Sequence, residues 1–176
     1  GGSTWINISN TTTTQSYTNL SVPTRYMANV QNGSCAAASS SVAIFTIDPA
    51  TVGGTASASS TICSGSNGSV TLSGKVGSVV RWESSADGGV TWTPIVNTTT
   101  TQTFTNLTVT TRYRAVVQSG ACAAANSSVS IKTVSPPSVG GTLSPVSTTV
   151  CSGVNSGTIS LSGQTGTISR WESSTN

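Results

Sequence analysis

The sequence predicts an all-β chain built from tandem repeats of about 87 residues. Self-comparison is the first observation behind this. Trp5 and Trp92 lie 87 residues apart, and the same offset relates Asn10 to Asn97, Asn19-Leu20 to Asn106-Leu107, Arg25-Tyr26 to Arg112-Tyr113, Cys35 to Cys122 and Gly53-Gly54 to Gly140-Gly141. The offset grows to 88 between Cys63 and Cys151 and to 89 between Trp82 and Trp171. Two single-residue insertions therefore fall around the Cys-Ser-Gly segment, which is read as partly loop. Composition is the second observation: charged residues are only 6% and aromatics 5%. Helical proteins need Ala, Leu, Glu and Lys in quantity, whereas Thr, Val and Ile fill the structured runs here. The third is the stretch from Arg81 to Trp92, which reads strand, tight turn, strand. Asp87-Gly88 suits the two-residue turn because both residues tolerate positive φ. Half of that motif recurs at each end, as Gly1-Gly2-Ser3-Thr4-Trp5 and as Arg170-Trp171-Glu172-Ser173-Ser174-Thr175-Asn176.

Proline breaks strand pairing at Asp48-Pro49-Ala50 and at Ser135-Pro136-Pro137. Residues 1–48 are then the back part of one repeat, 49–135 a complete repeat, and 136–176 the front part of a third. The complete repeat offers strands near Gly54–Ser57, Ser69–Ser73, Val79–Ser84, Val90–Val96, Thr101–Leu107, Arg112–Gln118 and Ser127–Val134. Short strands at this spacing, with a Trp on the third, predict an immunoglobulin-like β-sandwich. Trp82, Trp92 and Tyr113 are the expected structural core. Alternation points Val80, Trp82 and Ser84 inward and Arg81 and Glu83 outward. Burying one Trp removes about 150–250 Å² from water, worth roughly 4–6 kcal/mol before entropy. Trp92 and Ile95 are three apart, so both can face inward only across a bulge. On the sixth strand Tyr113, Ala115 and Val117 share the inner face. Glu83 is expected beside Arg112 or Arg114 on the outer face, a pair worth under about 1 kcal/mol.

The four cysteines permit three pairings. One pair per repeat favours a Cys63–Cys122 disulfide, closing a loop of about 60 residues and stabilising by roughly 4 kcal/mol. An oxidising compartment follows from that bond. In a simple sandwich the two positions lie at opposite ends, so the segment before Cys63 must fold back along the edge. A zinc site is disfavoured, because there is no His and no Cys-x-x-Cys.

No catalytic, cofactor-binding or metal-ligating set is expected. The net charge of +3 comes from scattered Lys and Arg, not from the basic stripe that nucleic-acid binding needs. No apolar run approaches 18 residues, so no membrane span is expected. The chain opens in mid-motif and reads as an excerpt. Ser85-x-Asp87-x-Gly89-x-Thr91-Trp92 matches the Asp-box pattern of sialidase-type propellers. One box per 87 residues is too sparse for blades of about 40–50 residues, and a self-contained hairpin is the favoured reading. Glycosidase chemistry wants two close carboxylates, and Glu83 and Asp87 belong to an outer face and a turn tip. A Ser-His-Asp triad is impossible without His, and a lone Asp87 suits a turn better than calcium. The Asn-x-Ser/Thr matches at Asn7, Asn19, Asn67, Asn97 and Asn106 arise readily in so Ser- and Thr-rich a chain. The Thr98–Thr101 run could offer hydroxyls to ice or sugar, but reads first as an edge or loop.

A family resemblance rests on Val150-Cys151-Ser152-Gly153, Thr158-Ile159-Ser160-Leu161-Ser162-Gly163, Arg170-Trp171-Glu172-Ser173-Ser174 and Tyr113-Arg114-Ala115-Val116-Val117 followed by Cys122. These resemble tandem Ig-like repeats of giant cell-surface adhesins of the Bacteroidota, including the gliding-motility adhesin exported by type IX secretion. The resemblance implies an extracellular, cell-surface filament acting as spacer and adhesive scaffold in attachment or gliding. Its partners would be surface polysaccharide or an abiotic surface, held by multivalent weak contacts, together with neighbouring repeats or strand-donating copies. The other reading, a carbohydrate-binding module of a large secreted enzyme, requires an exposed aromatic platform.

Overall fold

A computed structural model describes residues 4–175. Gly1–Ser3 and Asn176, the outermost residues of the two motif halves, lie outside the described residues. The chain is all-β: every regular element among the described residues is a strand. It divides after Pro49 into two units.

In the first unit β1 (Thr24–Tyr26) and β2 (Asn29–Val30) pair antiparallel with β4 (Ala43–Phe45) and β3 (Ala38–Ser39), respectively. Tyr17 packs on Phe45 with ring centroids 4.5 Å apart, and Tyr26 lies 5.8 Å from the same ring.

The second unit holds the intact repeat. Its strands are β5 (Thr55–Ala56), β6 (Ser60–Cys63), β7 (Ser66–Ser73), β8 (Ser78–Ser85), β9 (Thr93–Ile95), β10 (Thr101–Leu107), β11 (Thr111–Gln118), β12 (Ala125–Asn126) and β13 (Ser130–Ser135). One sheet has the order β10-β7-β5, the other β6-β13-β11-β8-β9, with β12 also pairing β11. Only β6 and β13 run parallel among these pairs. Both sheets feed a single core. Ala56, Val70, Leu72 and Phe104 come from the first, and Val79, Trp82, Tyr113, Ala115 and Val117 from the second. Trp82 is fully buried, and its Nε1–H donates to the Thr99 carbonyl at 2.9 Å, so the indole enters the core with its one polar atom satisfied. Phe104 and Tyr113 stack at 5.8 Å.

Beyond the intact repeat, β14 (Thr142–Ser144) pairs with β15 (Ser160–Ser162). The registers repeat as the sequence does. Thr24 opposes Phe45 as Thr111 opposes Lys132, and Thr142 opposes Ser162 as Thr55 opposes Ser73. The isolated bridge Val139–Thr165 likewise mirrors Val52–Val76.

Several expectations need correction. Trp92 is not in the core: it is half-buried under the guanidinium of Arg114, while Ile95 packs against the core. The chain between Asp87 and Trp92 wraps around the Asp87 carboxylate, which delays the strand to Thr93 and turns Trp92 outward. Val80 is exposed and Val79 buried, because a bulge in β8 sets Val117 opposite Val79 and Val116 opposite Arg81. The Cys63-Ser64-Gly65 segment is partly loop as expected, Ser64 and Gly65 forming the turn between β6 and β7, but β6 itself is a strand absent from the sequence reading. Finally, Cys63 and Cys122 are not joined. Cys63 is exposed and free, opposite Ser135 at one end of the sheet. Cys122 lies at the other end, in the turn between β11 and β12, with its N–H donating to the Ser119 carbonyl at 2.9 Å. The strands between those ends span roughly 30 Å at about 3.3 Å per residue, whereas a disulfide needs Cα atoms within about 7 Å. The argument for an oxidising compartment loses that support.

Candidate functional site

The densest polar arrangement of the intact repeat lies on the outer face of β8 and β11 and in the turn that follows β8. Strand pairing puts Glu83 directly opposite Arg114. Glu83 Oε2 accepts from Arg114 Nε at 2.7 Å, and Oε1 accepts from Arg81 Nε at 2.8 Å. Arg81 reaches Glu83 because residues two apart share one face of a strand. The guanidinium of Arg114 then sits 4.0 Å above the Trp92 ring. Trp92 is itself held by its Nε1–H donating to the Gly89 carbonyl at 3.0 Å. Glu83 is thus only 5% exposed on a face that alternation assigned to solvent. Burial alone would raise its carboxyl, but hydrogen bonds and charge from Arg114 and Arg81 outweigh it and hold the pKa below the ordinary 4.5.

The turn is built around Asp87. Its carboxylate accepts from the Thr91 hydroxyl, from Ser85 Oγ at 2.7 Å, and from the Thr91 and Val90 N–H groups at 3.0 and 3.1 Å. Ser85 Oγ in turn accepts from the Gly89 N–H at 2.8 Å. The Thr91 and Ser85 side chains, followed by the Thr91 backbone, hold the Asp87 carboxyl well below the usual carboxylate range. Both carboxylates of the full repeat are therefore ionised and engaged by their own neighbours, Glu83 by arginine and Asp87 by a turn. Neither is set up to deliver a proton.

Of the residues singled out from sequence, the structure places Trp82 and Tyr113 inside the sandwich and Trp92 outside it. Of the Thr98–Thr101 run, residues 98–100 are a loop clamped by Asn97 and Thr101 opens β10. Asn97 Oδ1 accepts from the Thr99 N–H, and Nδ2 donates to the Thr101 carbonyl, both at 2.9 Å. That clamp presents the Thr99 carbonyl to Trp82. Sequence reasoning missed the role of Arg81 and the Arg114–Trp92 stack. The alternation Arg81–Glu83 opposite Arg114 was the available signal. No group of three or more His, Cys, Asp or Glu among the described residues could hold a metal ion, and no helix is long and apolar enough to cross a membrane.

Replacing Glu83 with Gln takes the buried anion from two arginines, Arg114 partly buried and Arg81 nearly half exposed. The expected loss is about 1–3 kcal/mol at neutral pH. A carboxylate with a depressed folded-state pKa stabilises above its unfolded value, and that contribution disappears as pH falls through the folded value. The gap between wild type and Glu83→Gln, measured by urea titration, should therefore be full above pH 4.5 and close as the pH is lowered below it.

The sequence pattern of a protein family described as Domain of unknown function (DUF8696) matches residues 1–49 and again residues 52–136. The chain belongs to this family. The first DUF8696 span takes in β1–β4, and the second runs from just before β5 to just past β13. No curated protein and no solved structure matches the chain.

Proposed function

We propose that this chain is a repeat segment of an extracellular surface filament, acting as spacer and adhesive scaffold in cell attachment or gliding. In this reading the DUF8696 repeat is an immunoglobulin-like sandwich, supported by the two sheets, the parallel pairing of β6 with β13, and the core Trp on β8. One observation carries the filament reading: the chain enters and leaves the intact repeat at opposite ends. The Thr51 hydroxyl accepts from the Ser119 N–H at 3.0 Å at the β11–β12 end, and Ser135 leaves beside Cys63 at the other. Repeats so connected extend a thread. Adhesion is then the sum of many weak contacts to surface polysaccharide or an abiotic surface, and rises steeply with the number of copies engaged. The cell-surface setting and type IX export rest on the family resemblance given above. The carbohydrate-module reading gains nothing from the intact repeat, whose Trp82 and Tyr113 are buried and whose Trp92 face carries Arg114.

Beads coated with the chain at graded density test the reading. Retention under flow on polysaccharide- and mineral-coated surfaces should rise far more steeply than coating density, while the soluble chain competes weakly. Retention no greater than that of uncoated beads at every density would remove the adhesive role.

A further inference from the structure

We infer that Asn97, Thr99 and Gln102 form a cover over the free edge of β10, one that keeps copies of the repeat from pairing edge to edge. An edge strand offers its unpaired N–H and C=O groups to any strand of another chain. In the intact repeat β10 and β5 end one sheet, and β6 and β9 end the other. β5 has two residues, β6 four, and β9 three with Pro94 in the middle, so shortness or proline blunts each of them. β10 is different. It is seven residues long, reads Thr-Gln-Thr-Phe-Thr-Asn-Leu, and carries no charge, proline or glycine. Such a segment pairs readily with its own kind.

The ladder to β7 shows which backbone groups are at risk. The Leu72 N–H donates to the Thr100 carbonyl at 2.8 Å, so Gln102 and Phe104 also face β7, while Thr101 and Thr103 face away. Side chains occupy both outward carbonyls. Asn97 Nδ2 and Thr99 Oγ1 each donate to the Thr101 carbonyl at 2.9 Å, and Gln102 Nε2 donates to the Thr103 carbonyl at 2.6 Å. Asn97 Nδ2 also donates to Gln102 Oε1 at 2.9 Å, which ties the two side chains together. Past Phe104 the register shifts and Asn106 takes a φ of 49°, so a bulge bends the rest of the strand out of line. Cover and bulge divide the edge between them. Presenting the Thr99 carbonyl to Trp82 requires Asn97 but not Gln102, whose side-chain bonds go to the Thr103 carbonyl and to Asn97. The first unit repeats the arrangement at the 87-residue offset. Asn10 Nδ2 donates to the Thr14 carbonyl at 2.7 Å and to Gln15 Oε1 at 2.9 Å, and Gln15 Nε2 donates to the Ser16 carbonyl at 2.7 Å. The cover acts whatever the chain adheres to, because like repeats are each other's best-matched edge partners.

Gln102→Met keeps the bulk of the side chain and removes its donor. Thr103→Pro removes an outward N–H of the same edge and leaves the ladder to β7 alone. Sedimentation velocity on the full chain under reducing conditions, from about 1 to 100 μM and well below the melting temperature, compares each variant with wild type. Folded Gln102→Met should self-associate at least about tenfold more tightly than wild type, and Gln102→Met/Thr103→Pro should return to the wild-type profile. Asn97→Ala, which withdraws a donor from the Thr101 carbonyl, is the second variant should Gln102→Met fail to fold, and the same shift and the same reversal are expected of it. A folded variant that associates no more than wild type overturns the inference. So does association that Thr103→Pro fails to reverse, which would place it on another surface or on unfolded chains.

Discussion

Trp82→Ala is expected to destabilise the intact repeat by about 3–5 kcal/mol. That is a large share of the roughly 5–15 kcal/mol available to a domain. The ring is fully buried between the two sheets, and its neighbours Val70, Val79 and Val117 are held in strands that cannot collapse into the space it would leave. The substitution also strands the Thr99 carbonyl, which accepts the indole N–H at 2.9 Å. Trp171 offers the control within the same chain. It occupies the equivalent place but is 55% exposed, so Trp171→Ala should leave the melting of the monomer almost unchanged. Urea denaturation followed by far-UV circular dichroism at low protein concentration measures both. Equal losses at the two positions would mean that the intact repeat does not draw its stability from this core.

Gly53→Ala should cost about 3 kcal/mol or more, although it adds one methyl group to a small residue. The new Cβ would lie 2.0 Å from the Asn126 oxygen, 2.3 Å from its carbonyl carbon and 2.8 Å from the Ser127 nitrogen, all of them backbone. No rotamer change relieves such a contact, so the segment leading into β5 must lift away from the end of β12. Lifting it strains the Ser128 N–H bond to the Gly54 carbonyl at 3.1 Å and the Ala56 N–H bond to Ser128 Oγ at 2.9 Å. Gly140→Ala again supplies the comparison, since the equivalent Cβ meets open space and should not alter the monomer's melting temperature. A Gly53→Ala protein as stable as wild type would show that the β5 lead-in is free to move.

The pair of glycines illustrates what could and could not be read from residues. Gly53-Gly54 and Gly140-Gly141 are visibly equivalent in sequence, yet nothing in either string says that one is jammed against a hairpin and the other is not. Trp92 makes the same point. Its spacing from Ile95 showed that the two could not both face inward on a regular strand. Choosing between them required the path of the chain around Asp87, set by hydrogen bonds from Ser85, Val90 and Thr91. The Glu83–Arg114 contact was foreseen as one of two options. Its burial, with Arg114 and Arg81 both on its carboxylate, was not, because a strand pattern assigns a side chain to a face without saying what else covers that face.

By itself the sequence determined the all-β class, the 87-residue offset, the inward face of β11 and the place of Trp82. All of these follow from period-two alternation, turn residues and self-similarity, which are local properties of a string. Only the tertiary structure decided that Cys63 and Cys122 sit at opposite ends of the sheet, that β8 bulges at Val80, and that Trp92 lies outside. Each depends on which strands become neighbours and in what register, and those pairings join residues too far apart in the chain for local pattern to specify.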